Sequence, residues 1–166
     1  MTEVSILKQF YRLNGKIRSN YLDKLSSLAA QELHRDRGAS HPSILDIFIH
    51  ILDGYDFWFG NVLSGTHSEY SERKGSLTRI DEVREFENRI GQMTMDYVNN
   101  LSEADLDKEI RLPWEGAPAT RLGDICWHMV EEELQHRGEI NALLWQMDID
   151  PPIADYRDWL DARQEG

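Results

Sequence analysis

Two ionisable residues one helical turn apart, Glu132 and His136, sit on what is otherwise an apolar stripe. In the stretch RLGDICWHMVEEELQHRGEINALLW, Arg121 to Trp145, a step of about 100° per residue places Leu122, Ile125, Met129, Glu132, His136, Ile140 and Leu143 on one face. A carboxylate and an imidazole on a core-facing stripe must be paired or hold a ligand, because burying an unpartnered charge costs several kcal/mol. At a spacing of four residues their Cβ atoms lie about 6 Å apart, so both side chains reach one point in front of the helix. Variants of H-x-x-x-H offer two ligands to one metal ion in this way.

A catalytic centre of the zinc type takes three protein ligands and keeps one position open, so a third must come from another element. His34, His41 and His67 fall in predicted loops, whereas His50 lies inside a predicted helix at the edge of its apolar face. Gly54, one turn further on, leaves open space beside that imidazole. His128 precedes Glu132 by one turn, but its Cβ is about 80° round the helix from that of His136, which suits a supporting position better than the same ion.

Structural readings stand beside these. Glu131-Glu132-Glu133 also reads as a solvated acidic run with an i,i+4 hydrogen bond from His136 to Glu132, and His50 as a satisfied core histidine. Cys126 reads as a buried small hydrophobe, and Trp58, Trp127 and Trp145 as packing residues. Arg137 either pairs with neighbouring carboxylates or meets an anionic substrate.

The elements that must position these residues are helical. Leu7, Phe10, Asn14, Ile17, Tyr21 and Leu28 recur at helical steps and predict a first long helix from Val4 to about Leu28, with a short continuation through Leu33 capped by Ser26-Ser27. Pro42 suits the first turn of a second helix reaching about Leu63, with Ile44, Ile47, Phe48, Ile51, Tyr55, Trp58 and Val62 as its apolar face. A Ser- and Gly-rich loop, Ser64 to Ser76, crosses to a third helix from about Thr78 to Asn100. The segment Glu109 to Thr120 breaks the helical period and predicts a short hairpin or an extended loop before the fourth helix. After Pro151-Pro152, Tyr156 to Arg163 reads as a short amphipathic helix. Four long amphipathic helices in one domain, residues 1–166, predict an all-α four-helix bundle.

A chain of 166 residues buries a sizeable core without structural metals, so any bound ion serves function. The net charge of −12 disfavours phosphate backbones and anionic lipid, hence no nucleic acid and no membrane partner. A single cysteine excludes an intrachain disulfide. With no apolar run near the length of a membrane span and no leader pattern at the N-terminus, the expectation is a cytoplasmic protein.

The string LGDICWHMVEEELQHRGEINALLWQMDIDPP resembles the last core helix of the DinB-like (damage-inducible) metalloenzymes, whose usual pattern is close to H-x-x-x-H-x-x-x-H-R-G-Q-I followed by a Pro-Pro turn. His128, His136, Arg137, Gly138 and Ile140 match it, while Glu132 stands where the middle histidine is usual and Glu139 where Gln is usual. SILDIFIHILDGYDFW likewise resembles the family's second helix, with His50 as its single histidine.

The resemblance implies an up-down-down-up bundle, often a homodimer, with a divalent metal held by His50, Glu132 and His136, and with His128 and Arg137 as supporting residues or alternative ligands. Zn or Ni is the expected ion, with Mn or Fe next because a carboxylate ligand favours harder metals. It further implies a small-molecule substrate and chemistry of the hydrolase or small-thiol S-transferase type, with a low-molecular-weight thiol as one candidate partner. The alternatives are a metal-binding stress-response protein without turnover, and a structural bundle whose site has been retired.

Overall fold

The computed structural model describes residues 1–64, 73 and 75–164. Four long helices carry the fold: α1 (Glu3–Ser26), α3 (Ile44–Tyr55), α4 (Ile80–Asn99) and α5 (Leu122–Gln146), with a single-turn helix α2 (Ala30–Leu33) in the first connection and a terminal helix α6 (Tyr156–Gln164). α1 packs chiefly against α4, with α6 and α5 on its other sides, and α3 packs against α5 and α4, so that the four stripes close on one core. That core holds Leu7, Leu22, Ile47, Phe48, Ile51, Val83, Ile90, Met129, Ile140 and Leu144. This is the expected all-α bundle with a short C-terminal helix.

The helix ends follow local chemistry. α1 begins where the Thr2 hydroxyl accepts from the Ser5 N–H at 3.3 Å. The second long helix starts two residues later than Pro42 suggests, because Ser43 takes the N-cap: its hydroxyl accepts from the Asp46 N–H at 3.1 Å and donates to the Asp46 carboxylate at 2.6 Å. Of the two forms open for the segment from Glu109 to Thr120, the chain takes the hairpin. Strands β1 (Glu109–Ile110) and β2 (Thr120–Arg121) pair antiparallel, Glu109 opposite Arg121 and Ile110 opposite Thr120.

The predicted helix to Leu63 departs from regular period beside His50. It is α-helical only to Tyr55, and Asp56–Val62 is wound as a π-helix. In the wider turn Phe59 enters the core with its ring stacked on Tyr55, centroids 6.1 Å apart, whereas Trp58, expected on the apolar face, remains half-buried. Most of the crossing loop from Ser64 to Ser76, and His67 with it, lies outside the described residues. No described helix is long and apolar enough to cross a membrane.

Candidate metal centre

The facing sides of α3 and α5 bring His50 and His136 together. The Nε2 atoms of both approach one oxygen, Oε1 of Glu132, at 3.4 Å and 3.1 Å respectively. Ligand atoms bound about 2.0–2.2 Å from one tetrahedral ion stand about 3.3–3.5 Å apart, so this spacing fits a shared ion as well as it fits hydrogen bonds. The other face of His136 is fixed: its Nδ1 lies 2.9 Å from Glu139 Oε2, which also accepts from the Ser40 hydroxyl at 2.5 Å. A histidine held at Nδ1 by a carboxylate presents Nε2 forward as a ligand.

A third imidazole joins them from the connection between α2 and α3. The candidate ligand atoms of His41, His50 and His136 all lie within 4.8 Å of one another, and the rings of His41 and His50 are 4.1 Å apart. A second grouping, His128 with Glu131 and Glu132, lies more exposed on α5. Either grouping could hold a metal ion.

The electrostatics favour a cation here. Burial works to raise the pKa of Glu132, but hydrogen bonding and charge from His136, with His50 and His128 adding to them, hold it below the usual carboxylate value. Glu139 behaves alike: burial is outweighed by the Ser40 hydroxyl and by His136. Both carboxylates are therefore ionised beside the imidazoles at neutral pH.

Comparison with known proteins agrees with the arrangement of helices. The family model described as "DinB family" matches residues 1–166. The chain belongs to the DinB family. Among curated DinB relatives, Protein DinB of Bacillus subtilis (strain 168) is 23% identical over 155 residues, covering 89% of this chain and 90% of that protein. The uncharacterized protein YizA of the same organism is 19% identical over 150 residues, covering 90% of this chain and 93% of its own.

Within this DinB-family bundle the predicted residues separate into two groups. His50, Glu132 and His136 meet, and His128 lines a cavity with His50 and Glu132, its ring edge-on to Trp58 at 5.8 Å and its Nδ1 4.0 Å from Glu131. Arg137 instead turns into the bundle and pairs with Glu133 at 3.6 Å. Glu132 is not the buried carboxylate that its stripe position suggests: its side chain is 26% exposed, and the residue sealed in the core is Glu133, at 0%.

Glu133 anchors a polar network that sequence reasoning folded into a solvated run. Its Oε2 accepts from Arg18 Nη1 at 2.8 Å and from the Tyr55 hydroxyl at 2.6 Å, and Arg18 Nε donates to Glu87 at 3.2 Å. Arg18 and Arg137 thus balance Glu87 and Glu133 between α1, α4 and α5. Burial alone lowers the Arg18 pKa, but Glu133, Tyr55 and Glu87 carry it above its ordinary value, and the guanidinium stays charged. The signal for this network was present in Arg18, a cation immediately beside the apolar position Ile17 on the first helix.

Proposed function

We propose that this DinB-family protein is a metal-dependent enzyme acting on a small molecule, with one divalent transition metal, Zn or Ni before Mn or Fe, held by His50, Glu132 and His136. The observation carrying this reading is the approach of two Nε2 atoms to one Glu132 oxygen at 3.4 and 3.1 Å. An ion bound there supplies Lewis-acid chemistry, which favours the ionised form of a small thiol or of water and suits S-transfer or hydrolysis. The protein's own residues prepare the site. Glu139 and Ser40 hold His136 in one orientation, the Glu132 charge matches a cation, and Phe57, Trp58 and Met129 add apolar surface to the adjoining cavity.

Elemental analysis of untagged protein tests the reading. About one transition metal per chain, lost in Glu132→Ala and in His136→Ala, is the expected result. No metal in wild type after reconstitution with Zn, Ni, Mn or Fe overturns it.

His41 favours a second reading, ion binding without turnover. Its ligand atom lies within 4.8 Å of those of His50 and His136, and a fourth side chain on the ion would close the coordination sphere, as in structural sites. A homodimer through the outer side of α5 belongs to the same proposal. Leu134 and Trp145, eleven residues apart and so on one side of the helix, are 48% and 54% exposed. Light scattering that shows only monomer removes the dimer.

A further inference from the structure

Beside His50 and Glu132 lies a cavity of about 220 Å³, lined also by Gly54, Phe57, Trp58, His128 and Met129. Its lining combines two chemistries: the imidazoles of His50 and His128 with the Glu132 carboxylate, and an apolar part made of two aromatic rings and a thioether. The apolar part has a structural cause in the π-helical turn Asp56–Val62, a feature that recurs at functional sites because it changes the direction of side chains within a helix. The rings of Phe57 and Trp58 meet edge to face with centroids 5.1 Å apart. Behind them the hairpin places Trp114, stacked on Phe57 at 6.4 Å and edge-on to Trp58 at 6.2 Å, while 47% exposed. Three large rings are thus assembled at the surface next to the candidate centre rather than in the bundle core.

Size and chemistry together define an occupant. An apolar cavity of about 150 Å³ accepts benzene, so one of this volume takes a single ring with a short substituent. Glu132 is engaged with His50 and His136, which leaves ring faces and the Met129 thioether as the surfaces a ligand meets in the apolar part.

We propose that this cavity is the substrate subsite and that it selects small molecules carrying an apolar, preferably aromatic, ring beside the group that reacts at His50, Glu132 and His136. The proposal rests on the metal-enzyme reading for the reacting group, but the ring subsite is independent of the ion.

Calorimetry on the Zn- or Ni-loaded protein with benzohydroxamate and acetohydroxamate separates the two ideas, because the probes share a metal-chelating group and differ in the ring. Benzohydroxamate is expected to bind on the order of 10- to 100-fold more tightly, from the extra apolar area it buries. The preference should collapse in Trp58→Ala at unchanged metal content and persist in Trp58→Phe. Equal affinity for both probes, or binding of neither to metal-loaded protein, overturns the subsite while leaving the bound metal intact. If the protein takes up no metal, the metal reading fails, and 4-methylphenol titrated against the metal-free protein decides the subsite. A shift of the Trp58 indole N–H resonance supports it; no shift overturns it.

Discussion

Glu139 holds His136 by the nitrogen that points away from the candidate centre, Nδ1 to Oε2 at 2.9 Å, and the Ser40 hydroxyl in turn donates to Glu139. The orientation of one imidazole therefore depends on a residue that never faces the cavity. Carboxylates in this position raise the basicity of a ligating histidine and lock its ring. Glu139→Gln keeps a hydrogen-bond acceptor but removes the charge, and metal affinity is expected to fall about 10- to 100-fold with the fold retained. A competitive chelator titration measures it; wild-type affinity in the variant would show that Glu139 does not tune His136.

From the connection between α2 and α3, His41 brings a ligand atom within 4.8 Å of those of His50 and His136. His41→Ala is expected to leave the ion bound, since His50, Glu132 and His136 remain, while opening its coordination sphere. Acetohydroxamate should then bind the metal-loaded variant more tightly than it binds wild type. Unchanged affinity places His41 off the ion.

The buried ion network makes a prediction about stability. Removing one member of a buried charge pair costs about 3–5 kcal/mol, because its partner is left without compensation. Glu133→Leu strands Arg18 and the Tyr55 hydroxyl, so the melting temperature should drop on the order of 10 °C. Arg18→Met combined with Glu133→Leu should cost less than the sum of the two single changes, the sign of direct coupling in a double-mutant cycle. Additive losses in urea unfolding would mean that the pair does not act as a unit.

Cys126 is sealed against α1, and burial pushes its thiol up to about 12, partly offset by the Tyr11 hydroxyl. It should not react with a disulfide reagent at pH 8 until the protein unfolds. The folded thiol keeps its proton where the unfolded one, with a pKa near 9, loses it. Stability from this group is thus complete below pH 9 and falls as pH rises from about 9 toward about 12, at up to ~1.4 kcal/mol per pH unit. Cys126→Ala should flatten that alkaline slope; an unchanged slope would assign it to other groups, such as the buried phenol of Tyr11.

The four long helices were legible because Leu7, Ile17 and Tyr21 on α1, or Val83, Phe86 and Ile90 on α4, repeat at the period of the element they form. The same arithmetic brought Glu132 and His136 to one face and picked out His50. It could not find His41, whose position is set by how the loop before Ser43 folds back rather than by any period. It also misassigned depth within Glu131-Glu132-Glu133, since adjacent positions differ by only about 100° and the choice between them is made by Arg18 and Glu87 on other helices. The π-helical turn was illegible for a related reason: a period-3.6 reading of the run from Tyr55 to Val62 stays self-consistent whether or not one residue is inserted.

α5 carries its two polar systems on neighbouring positions, Glu132 at the cavity with His136 hydrogen-bonded behind it, Glu133 and Arg137 toward the bundle. Uniqueness of the fold and reactivity of the site are thereby assigned to different atoms of one helix. On the proposed metal reading, a substitution at position 132 or 50 changes the candidate centre and leaves the Arg18, Glu87 and Glu133 charges between the helices in place. Such a scaffold tolerates drift at its reactive face, and new chemistry can arise there by single substitutions while the architecture is inherited unchanged.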